Sequence, residues 1–450
     1  MGFQDFTTLE KREYYCDLEV LLNKRFAPEL YLGVIPITGT AHYPNLNGQG
    51  EVIEYAIKMQ EFSQSNLLTA IAQNKGLTPP LVREIATQIA DFHQNTQKCN
   101  KKNAFGNLEN VFAPMQDNFK MLKKSSHAKE YSREIQKIED WANEKYHALQ
   151  DLLSRRKEQG FIRACHGDLH LGNIVLINQK PVIFDCIEFN DNLRFIDVIN
   201  DISFLAMDFE KVQFPKLGNL FVNHYLEHTK DYEGISLLNF YKSYRAMVRA
   251  KITVFQISQC AKNDKNINTL QTDLHHFITL AHQYTKNCTP SLTITYGVSA
   301  SGKSLYTAQL MTESNTIRLR SDIIREKPDY TPHAIEVVYA KLEALAQTLL
   351  RAGLNVIIDA TCLKQWQRKL FSDLAEKLHV SFKILSFSAP LETLQQRLAY
   401  RKAQQQDVSQ ADEKVLTMQL ATLEKLTEEE QKWTTEISNN TIEALRKPLL

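Results

Sequence analysis

The chain has 450 residues, which is enough for two or three domains at roughly 150 residues each. Hydrophobic residues make up 43% and charged residues 23%, as in folded globular proteins and unlike disordered or membrane-spanning ones. The 53 basic and 52 acidic side chains give a formal net charge of +1, which disfavours binding along a long nucleic acid. The seven cysteines form no CxxC pair and no signal-peptide pattern is present, so we expect a cytoplasmic protein with reduced thiols and no membrane segment.

The first half of the chain predicts a mixture of helices and short antiparallel strands. Helices are expected where apolar residues recur at a spacing of three to four, and hairpins where two apolar runs flank Gly, Pro or Asn. The predicted segments are a helix within 6–26, strands at 30–37 and 51–59 joined by a long loop, helices across 65–159, strands at 173–177 and 182–184, and helices across 198–284.

The periodicity changes near residues 287–291, and we place a domain boundary there, with one domain at 1–288 and a second at 289–450. After the boundary, strand-like runs alternate with helical patterns. Such alternation predicts a parallel sheet of the doubly wound α/β kind. The predicted strands are LTITY at 292–296, TIRLR at 316–320, LNVIIDA at 354–360 and SFKILSFSA at 381–389.

The first of these strands leads into a sequence that fits G-x-x-x-x-G-K-[ST] in full, and a helical pattern comes directly after it. In such a loop, successive backbone N–H groups turn toward phosphates at a helix N-terminus. Lys303 would reach the β- and γ-phosphates of ATP, and the hydroxyl of Ser304 would join Mg²⁺. The candidate ATP-binding residues are Gly297, Val298, Ser299, Ala300, Ser301, Gly302, Lys303 and Ser304.

Further polar residues come after the later strands, at the edge where open α/β sheets bind ligands. Asp322 is placed to accept a hydroxyl proton and Arg325 to contact the acceptor, although the pair by itself is explained better by the first turn of a short helix. Asp359 ends an apolar strand, which is the placement of a Walker-B carboxylate that holds Mg²⁺. Arg397 and Arg401 would close over the phosphates, or would lie on a solvated helix face.

Residues 291–450 resemble the small P-loop kinases that include gluconate kinase, the chloramphenicol phosphotransferases, zeta-type toxins and polynucleotide 5′-hydroxyl kinases. The resemblance rests on GVSASGKS, RSDIIR, VIIDAT and RLAYRKAQQQDVSQAD. It implies that Asp322 activates the acceptor and that Arg397 and Arg401 belong to a lid. Arg325 occupies the D-x-x-R position that resembles the polynucleotide kinases. The P-loop indicates nucleotide binding, whereas the acceptor is not defined by these motifs.

The first half contains a second candidate site. Residues 166–173, HGDLHLGN, have the form H-x-D-x-x-x-x-N, and the predicted hairpin after them leads to Asp185. This spacing suits an aspartate, Asp168, that accepts the substrate hydroxyl proton, while Asn173 and Asp185 hold Mg²⁺ on the ATP phosphates. A competing interpretation makes His166, Asp168 and His170 a transition-metal cluster.

Residues 1–285 resemble the aminoglycoside phosphotransferase family, a branch of the protein-kinase-like fold. The resemblance rests on the segments ADFH at 90–93, HGDLHLGN at 166–173, IFDCIEFN at 183–190 and RFIDVINDISFL at 194–205. The resemblance implies a kinase-like α+β first domain ahead of the P-loop domain, a pairing similar to an uncharacterised two-domain bacterial group. We expect Asp197 and Asp201 to brace the loop, and His93 to be a packing residue.

The sequence departs from the kinase-like pattern at its beginning. A kinase-like N-lobe opens with a strand, a glycine loop and a strand that carries the phosphate-binding lysine. The stretch GFQDFTTLEKR resembles the segment located after that lysine strand, so the N-lobe is expected to be incomplete in this chain. Either translation starts upstream or this lobe binds ATP poorly. Glu19 resembles the glutamate that would pair with the lysine, and Lys58 is interpreted as an ordinary strand residue.

Together these features predict a two-domain, ATP- and Mg²⁺-dependent phosphotransferase. The P-loop site would move the γ-phosphate to a hydroxyl of a small molecule, and the kinase-like domain would carry a second site. Arg245, Arg249 and Lys251 form a basic cluster that is either a solvated helix face or a contact for an anionic substrate.

Two alternatives remain open at the level of sequence. In one, the first domain is a degenerate module that binds a ligand and regulates the P-loop half. In the other, suggested by Asp322-x-x-Arg325, the chain phosphorylates a nucleic-acid 5′-hydroxyl. The near-zero net charge disfavours a long nucleic acid but allows a terminus. The acceptor and the oligomeric state are set by side chains that a single sequence does not place.

Overall fold

The computed structural model describes residues 6–261, 266–286, 288–313, 315–325, 329, 331–404 and 413–438, without the side chains of 401–404. The chain divides into two compact units. The first comprises Met1–Tyr225 and Leu237–Lys286, and the second comprises Leu226–Ser236 and Asn287–Leu450. None of the described helices is both long and apolar enough to cross a membrane.

The first half of the chain is helix-rich with short antiparallel strands. Its helices and strands are α1 (Leu9–Asn23), β1 (Tyr31–Thr40), β2 (Tyr43–Leu46), β3 (Val52–Met59), α2 (Leu68–Gln73), α3 (Pro79–Asn95), α4 (Leu108–Lys124), α5 (Ser132–Gln159), β4 (Ile162–Ala164), β5 (Ile174–Ile177), β6 (Lys180–Ile183), α6 (Asp191–Arg194), β7 (Phe195–Asp197), α7 (Val198–Lys211), α8 (Pro215–Thr229), α9 (Leu238–Gln259) and α10 (Ile267–Gln283).

The first sheet has the antiparallel order β2-β1-β3, and α1 contacts β1 and β3. Its core contains Val20 of α1 with Ala27, Leu30 and Tyr31, and partly buried apolar side chains of β5, β6 and Phe184 pack against this cluster. Burial of these apolar groups joins the first sheet to the segment that leads into Asp185.

Two short strand pairs position the loop between residues 165 and 173. Strand β4 pairs antiparallel with β7, and β5 pairs antiparallel with β6 across a turn at Asn178 and Gln179, both of which have positive φ. The loop therefore begins at the end of β4 and ends where β5 begins. Asp185 comes just after β6, so the hairpin returns the chain to the loop, as the spacing predicts.

The second half alternates strands and helices, as predicted. Its elements are β8 (Ser291–Tyr296), α11 (Lys303–Leu310), β9 (Thr316–Arg320), α12 (Ser321–Ile324), α13 (Pro332–Arg351), β10 (Asn355–Asp359), α14 (Gln365–Lys377), β11 (Ser381–Phe387), α15 (Leu391–Gln404), α16 (Glu413–Thr422), α17 (Glu428–Gln431) and β12 (Thr434–Ile437).

These strands form a five-stranded parallel sheet in the order β12-β11-β8-β10-β9. Strand β8 lies at the centre, with β10 and β9 on one side and β11 and β12 on the other, so the chain winds first to one side of β8 and then to the other. This arrangement makes the carboxyl end of β8 the topological switch point, where open α/β sheets bind ligands. The P-loop begins there, and the prediction of a parallel doubly wound sheet is confirmed.

Four short strands were not predicted from the sequence. Strand β2 lies inside the expected long loop, β4 and β7 have only three residues each, and β12 lies beyond the last predicted strand. None of the four contains an apolar run such as the one that indicates β5, so the sequence pattern does not reveal them. Their pairing comes from neighbouring strands in the folded chain.

Candidate active sites

The kinase-like loop of the first unit is held by a buried aspartate on α7. Both carboxylate oxygens of Asp201 accept backbone N–H groups, from His166 at 3.0 Å and from Gly167 at 2.9 Å. His93 lies 3.1 Å from the same carboxylate through Nε2, and its Nδ1 lies 2.9 Å from the hydroxyl of Tyr225. His93, expected to be a packing residue, thus contributes to the brace that fixes the loop.

The loop places Asp168 among groups that keep its carboxylate ionised. Asn173 donates through Nδ2 to the carbonyl of Asp168 at 3.0 Å and to its carboxylate at 3.3 Å. His170 Nε2 lies 3.4 Å from the same carboxylate, while its Nδ1 accepts the N–H of Gly172. Burial alone would raise the pKa of Asp168, but His170, His166 and Arg245 hold it at about 2.

Asp185 lies two residues after the end of β6 and has a positive φ of 64°, an unusual conformation for a residue other than glycine. Its N–H donates to the Tyr31 hydroxyl at 3.2 Å, and the next N–H, of Cys186, donates to Asn23 at 2.8 Å. Burial, and then the charge of Asp168, raise the pKa of Asp185. The half-buried carboxylate of Asp168, the exposed carboxylate of Asp185 and the amide of Asn173 form a donor set that suits Mg²⁺.

Glu19 of α1 belongs to the same acidic neighbourhood. Its side chain is half-buried and its pKa is raised to about 7 by burial, by Glu188 and by Asp185. Lys58, in contrast, is exposed on β3, in agreement with its interpretation as an ordinary strand residue. A nearby positive charge would therefore stabilise the ionised form of the Glu19 carboxylate.

The transition-metal interpretation of the loop is not supported by the side-chain positions. His166 Nε2 lies 2.8 Å from the carbonyl of Phe184, and its Nδ1 accepts the N–H of Asp168, so both ring nitrogens are engaged. Among the described residues, the one group of possible metal ligands that converges is His93, Cys165 and Asp201. His93 and Asp201 hold each other and the loop backbone, and the Cys165 thiol donates to the carbonyl of Ile196 at 3.5 Å, as in a structural hydrogen-bond network.

The basic cluster on α9 is not a solvated face at Arg245. This side chain is buried and donates through Nε to Asn200 at 2.8 Å and through Nη1 to the carbonyl of Gly167 at 2.8 Å. Arg249 instead lies over the ring of Phe277, and burial lowers the pKa of Lys251. Arg245 is therefore a support of the loop that carries Asp168.

The P-loop of the second unit has the backbone conformation of a phosphate cradle. Gly297, Ala300 and Gly302 all have positive φ, at 148°, 63° and 101°. A Cβ atom added at Gly297 would lie 2.6 Å from the carbonyl oxygen of Phe387, so only glycine fits there. Lys303 begins α11, and its Nζ donates to the carbonyl of Val298 at 2.7 Å. Backbone N–H groups, a lysine and a helix N-terminus suit nucleotide phosphates.

Asp359 lies beside the P-loop at the end of β10. Its carboxylate accepts the hydroxyl of Ser304 at 3.3 Å and that of Thr307 at 3.1 Å, and only 3% of its side chain is exposed. A buried carboxylate oxygen next to a serine hydroxyl is a pair of hard oxygen donors. The residues present therefore suit Mg²⁺ at the position where the sequence places it.

Asp322 and Arg325 face the same cavity as the P-loop. Arg325 Nη1 donates to the Asp322 carboxylate at 3.2 Å across α12. A cavity of about 130 Å³ is lined by both residues and by Lys303, Ser304 and Asp359. The candidate acceptor residues and the candidate nucleotide residues thus open into one space.

The helices after β11 contribute two contacts to the P-loop. Arg397 of α15 is buried and donates through Nη1 to the carbonyl of Ala300 at 3.2 Å, so it is not on a solvated face. Arg401 lies on the same helix, and its side chain is outside the described part of the chain. Gln419 of α16 accepts the N–H of Ser299 at 2.7 Å, a contact that no sequence motif indicates.

Sequence reasoning also missed several residues that line this cavity. Ile335 and Tyr339 of α13, Leu363, and Met418 of α16 supply apolar surface, and Lys364 and Gln367 supply polar groups. The helical pattern of α13 does indicate a buried face at Tyr339. The pattern does not show that this face adjoins the P-loop, because the adjacency arises from sheet order.

Two family models match the chain and cover separate parts of it. Residues 66–238 match the phosphotransferase enzyme family, and residues 292–426 match an AAA domain. The chain is an ATP-dependent kinase. Both matched domains agree with the resemblances stated from the sequence, and the predicted fold class, a kinase-like domain followed by a P-loop domain, is confirmed.

The sequence similarity between this kinase and its relatives extends across both domains. An uncharacterized protein of Mycobacterium tuberculosis, Rv2004c, is 28% identical over 423 residues, which is 90% of this chain and 82% of the relative. The protein Mb2027c of Mycobacterium bovis matches with the same values. The similarity to these relatives thus extends over most of this chain.

Solved structures resemble single parts of this kinase. An ethanolamine kinase of Plasmodium vivax is 15% identical, covers 61% of this chain and 73% of its own, with a TM-score of 0.34. A Pnkp1/Rnl/Hen1 complex is 25% identical over 28% of this chain and 43% of that one, with a TM-score of 0.23. A sugar kinase from Janibacter is 21% identical over 35% and 90%, with a TM-score of 0.28.

Proposed function

We propose that the P-loop unit transfers the γ-phosphate of ATP to a hydroxyl group of a small-molecule acceptor. The observation that carries this proposal is the shared cavity of the second unit. It brings Lys303 and Asp359, which suit nucleotide and metal, to the same space as Asp322, which suits a hydroxyl acceptor. Phosphoryl transfer requires little more than this positioning and charge stabilisation.

In this mechanism Asp322 accepts the proton of the acceptor hydroxyl as the acceptor oxygen bonds to the γ-phosphorus. The bond from that phosphorus to the β–γ bridging oxygen breaks, and ADP leaves with that oxygen. Lys303 and the P-loop N–H groups stabilise the phosphate charge, and Arg397 fixes the P-loop through Ala300. Ser304 and Asp359 would hold Mg²⁺, which supplies charge neutralisation on the phosphates.

The kinase-like unit is proposed to carry a second phosphotransfer site. Asp168 would accept the hydroxyl proton, which its pKa of about 2 allows because the carboxylate is ionised at neutral pH. Asn173 and Asp185 would hold Mg²⁺. The buried hydrogen bonds that the loop N–H groups of His166 and Gly167 donate to Asp201 support this proposal, because they hold the loop that carries Asp168 rigid.

The test is Mg²⁺-dependent ATP turnover by the full chain with pooled sugars, nucleosides, aminoglycosides and 5′-hydroxyl oligonucleotides. Lys303→Ala should abolish transfer to the P-loop acceptor, and Asp168→Asn should abolish transfer at the second site. Lys432→Ala and Asp91→Asn, which change exposed residues, are the matched controls. Loss in Lys303→Ala alone would make the first domain an accessory module, and labelling of oligonucleotides alone would favour a nucleic-acid end as acceptor.

A further inference from the structure

The second unit contains a short segment that precedes the P-loop domain by more than fifty residues in sequence. Residues Leu226–Ser236, which include the end of α8, belong to the compact unit of Asn287–Leu450. Glu227 in this segment is nearly buried, with 11% of its side chain exposed. A carboxylate at such a position needs a positive partner, because burial disfavours its charge.

Glu227 finds two such partners on β9. Its Oε1 accepts from Arg318 at 2.6 Å through Nη2 and at 3.0 Å through Nε. Its Oε2 lies 3.8 Å from Arg320 Nη1. One carboxylate therefore faces both arginines of the strand next to β10.

The same two arginines face Asp359. Arg318 Nη1 lies 3.9 Å and Arg320 Nε lies 3.8 Å from Oδ2 of Asp359. Arg318 Nη1 also donates to the carbonyl of Ser304 at 3.1 Å. Glu227 and Asp359 thus share two guanidinium groups, and the four side chains have a formal charge of zero.

We infer that Glu227 is a positioning residue of the P-loop site, which tunes the affinity of Asp359 and Ser304 for the divalent cation by balancing Arg318 and Arg320. The inference rests on the proposed function of that site. Without the Glu227 charge, the two arginines would draw the Asp359 carboxylate more strongly toward them and would oppose the binding of a divalent cation. Partners behind a metal ligand commonly change metal affinity by roughly 10-fold or more.

Tyr232 is a further titratable side chain close to Glu227, Arg318 and Arg320. Tyr232, in the same segment, is buried and has its pKa raised by burial and by Glu227, and lowered by Arg318 and Arg320. Its hydroxyl carries no formal charge, so it leaves the charge balance to the carboxylates and arginines. Tyr232→Phe therefore preserves the balance while altering the same packing.

The experiment titrates Mg²⁺ into the full chain with a fluorescent ADP analogue and measures the free Mg²⁺ concentration that gives half-maximal nucleotide binding. The part of the nucleotide binding that disappears in Lys303→Ala is assigned to the P-loop site. For that part of the binding, Glu227→Gln should raise the Mg²⁺ midpoint roughly 10-fold. Arg320→Gln should lower it, because one positive charge beside Asp359 is removed. Glu233→Gln, an exposed carboxylate of the same segment, and Tyr232→Phe should leave it unchanged.

The opposite signs of the two charge variants separate this role from general damage to the fold, which would move both midpoints in the same direction. If Glu227→Gln does not fold, Arg320→Gln alone supports or overturns the inference by the sign of its shift. Equal Mg²⁺ midpoints in wild type, Glu227→Gln and Arg320→Gln would overturn the role of Glu227 only. A wild-type chain without any Lys303-dependent binding would overturn the proposed function itself.

Discussion

At the scale of single residues, Glu19 shows how the first site responds to charge. Burial, Glu188 and Asp185 raise its pKa to about 7, whereas the unfolded chain titrates it near its ordinary value. A raised pKa in the folded state gives stability that is complete below the unfolded pKa and is lost as the pH rises through 7. At pH 8 the folded chain therefore holds an unfavourable charge at this position.

Glu19→Gln should remove that pH-dependent loss. Solvent screening at this half-buried side chain reduces the gain to about 1 kcal/mol at pH 8, which corresponds to about 2 °C in the melting temperature. Melting curves of wild type and variant between pH 5 and 8 should diverge as the pH rises. Glu84→Gln, at an exposed position on α3, should show no such divergence. A constant difference at every pH would contradict the assigned cause.

Gly297 allows an equally local test in the P-loop. Gly297→Ala places a Cβ 2.6 Å from the Phe387 carbonyl at a φ of 148°, so the loop must shift and nucleotide affinity should fall at least about 10-fold. Gly353→Ala is the matched control, since its φ is also positive but its nearest neighbour lies at 3.9 Å. That control should cost about 1 kcal/mol of stability and leave ADP binding unchanged in a fluorescence titration. Similar affinities in both variants would show that the loop is free to adapt.

At the scale of elements, α7 connects fold stability to the first site. Asp197 caps the helix by accepting the N–H of Ile199 at 2.8 Å, and Arg156 donates to both of its oxygens at 2.7 and 2.9 Å. The side chains of Arg156 and Asp197 are each 1% exposed. One turn further along α7, Asp201 holds the loop that carries Asp168. The expectation that Asp197 and Asp201 brace the loop thus has a structural basis in one helix.

Breaking this buried pair should destabilise the first unit strongly. Arg156→Met leaves the Asp197 charge buried without its guanidinium partner, and the expected loss is about 3 kcal/mol in the free energy of unfolding. Urea unfolding is followed by the fluorescence of Trp141 in a Trp366→Phe/Trp433→Phe background. Trp141 is then the only tryptophan, so the signal reports the unfolding of the first unit. Arg12→Met removes the partly exposed pair with Glu54 and should cost about 0.5 kcal/mol. Equal losses in both variants would argue against a special role of the buried pair.

Elements with a clear period or a fixed motif were predictable, and elements defined by contacts were not. The strand before the P-loop, β10 with Asp359 at its end, and the hairpin from Asn173 to Asp185 are all indicated by apolar runs and turn residues. The short strands β4 and β7 are not, because three residues carry no period and their pairing joins positions more than thirty residues apart. Gln419 and Glu227 were missed for a similar reason, since a polar residue on a helix has no signature of its distant partner.

At the scale of the whole molecule, two separate sets of candidate site residues occur in one kinase. Lys303 with Asp359 belongs to the second unit, and Asp168 with Asp185 belongs to the first. The sets share no residue, so the loss of one should leave the chemistry of the other in place. A chain with two active sites should keep one activity when the other site is lost, whereas a chain with one active and one regulatory half has only one activity to lose.

Two nucleotides should therefore bind per chain. Calorimetric titration with Mg²⁺ and a non-hydrolysable ATP analogue should give a stoichiometry of two for wild type. Lys303→Ala should leave one site, because the phosphates lose their lysine, and Asp185→Asn should leave the other, because a metal-holding carboxylate becomes a neutral amide. A wild-type stoichiometry of one that falls to none in Lys303→Ala would instead make the kinase-like unit a module without nucleotide, and its loop at Asp168 a structural remnant.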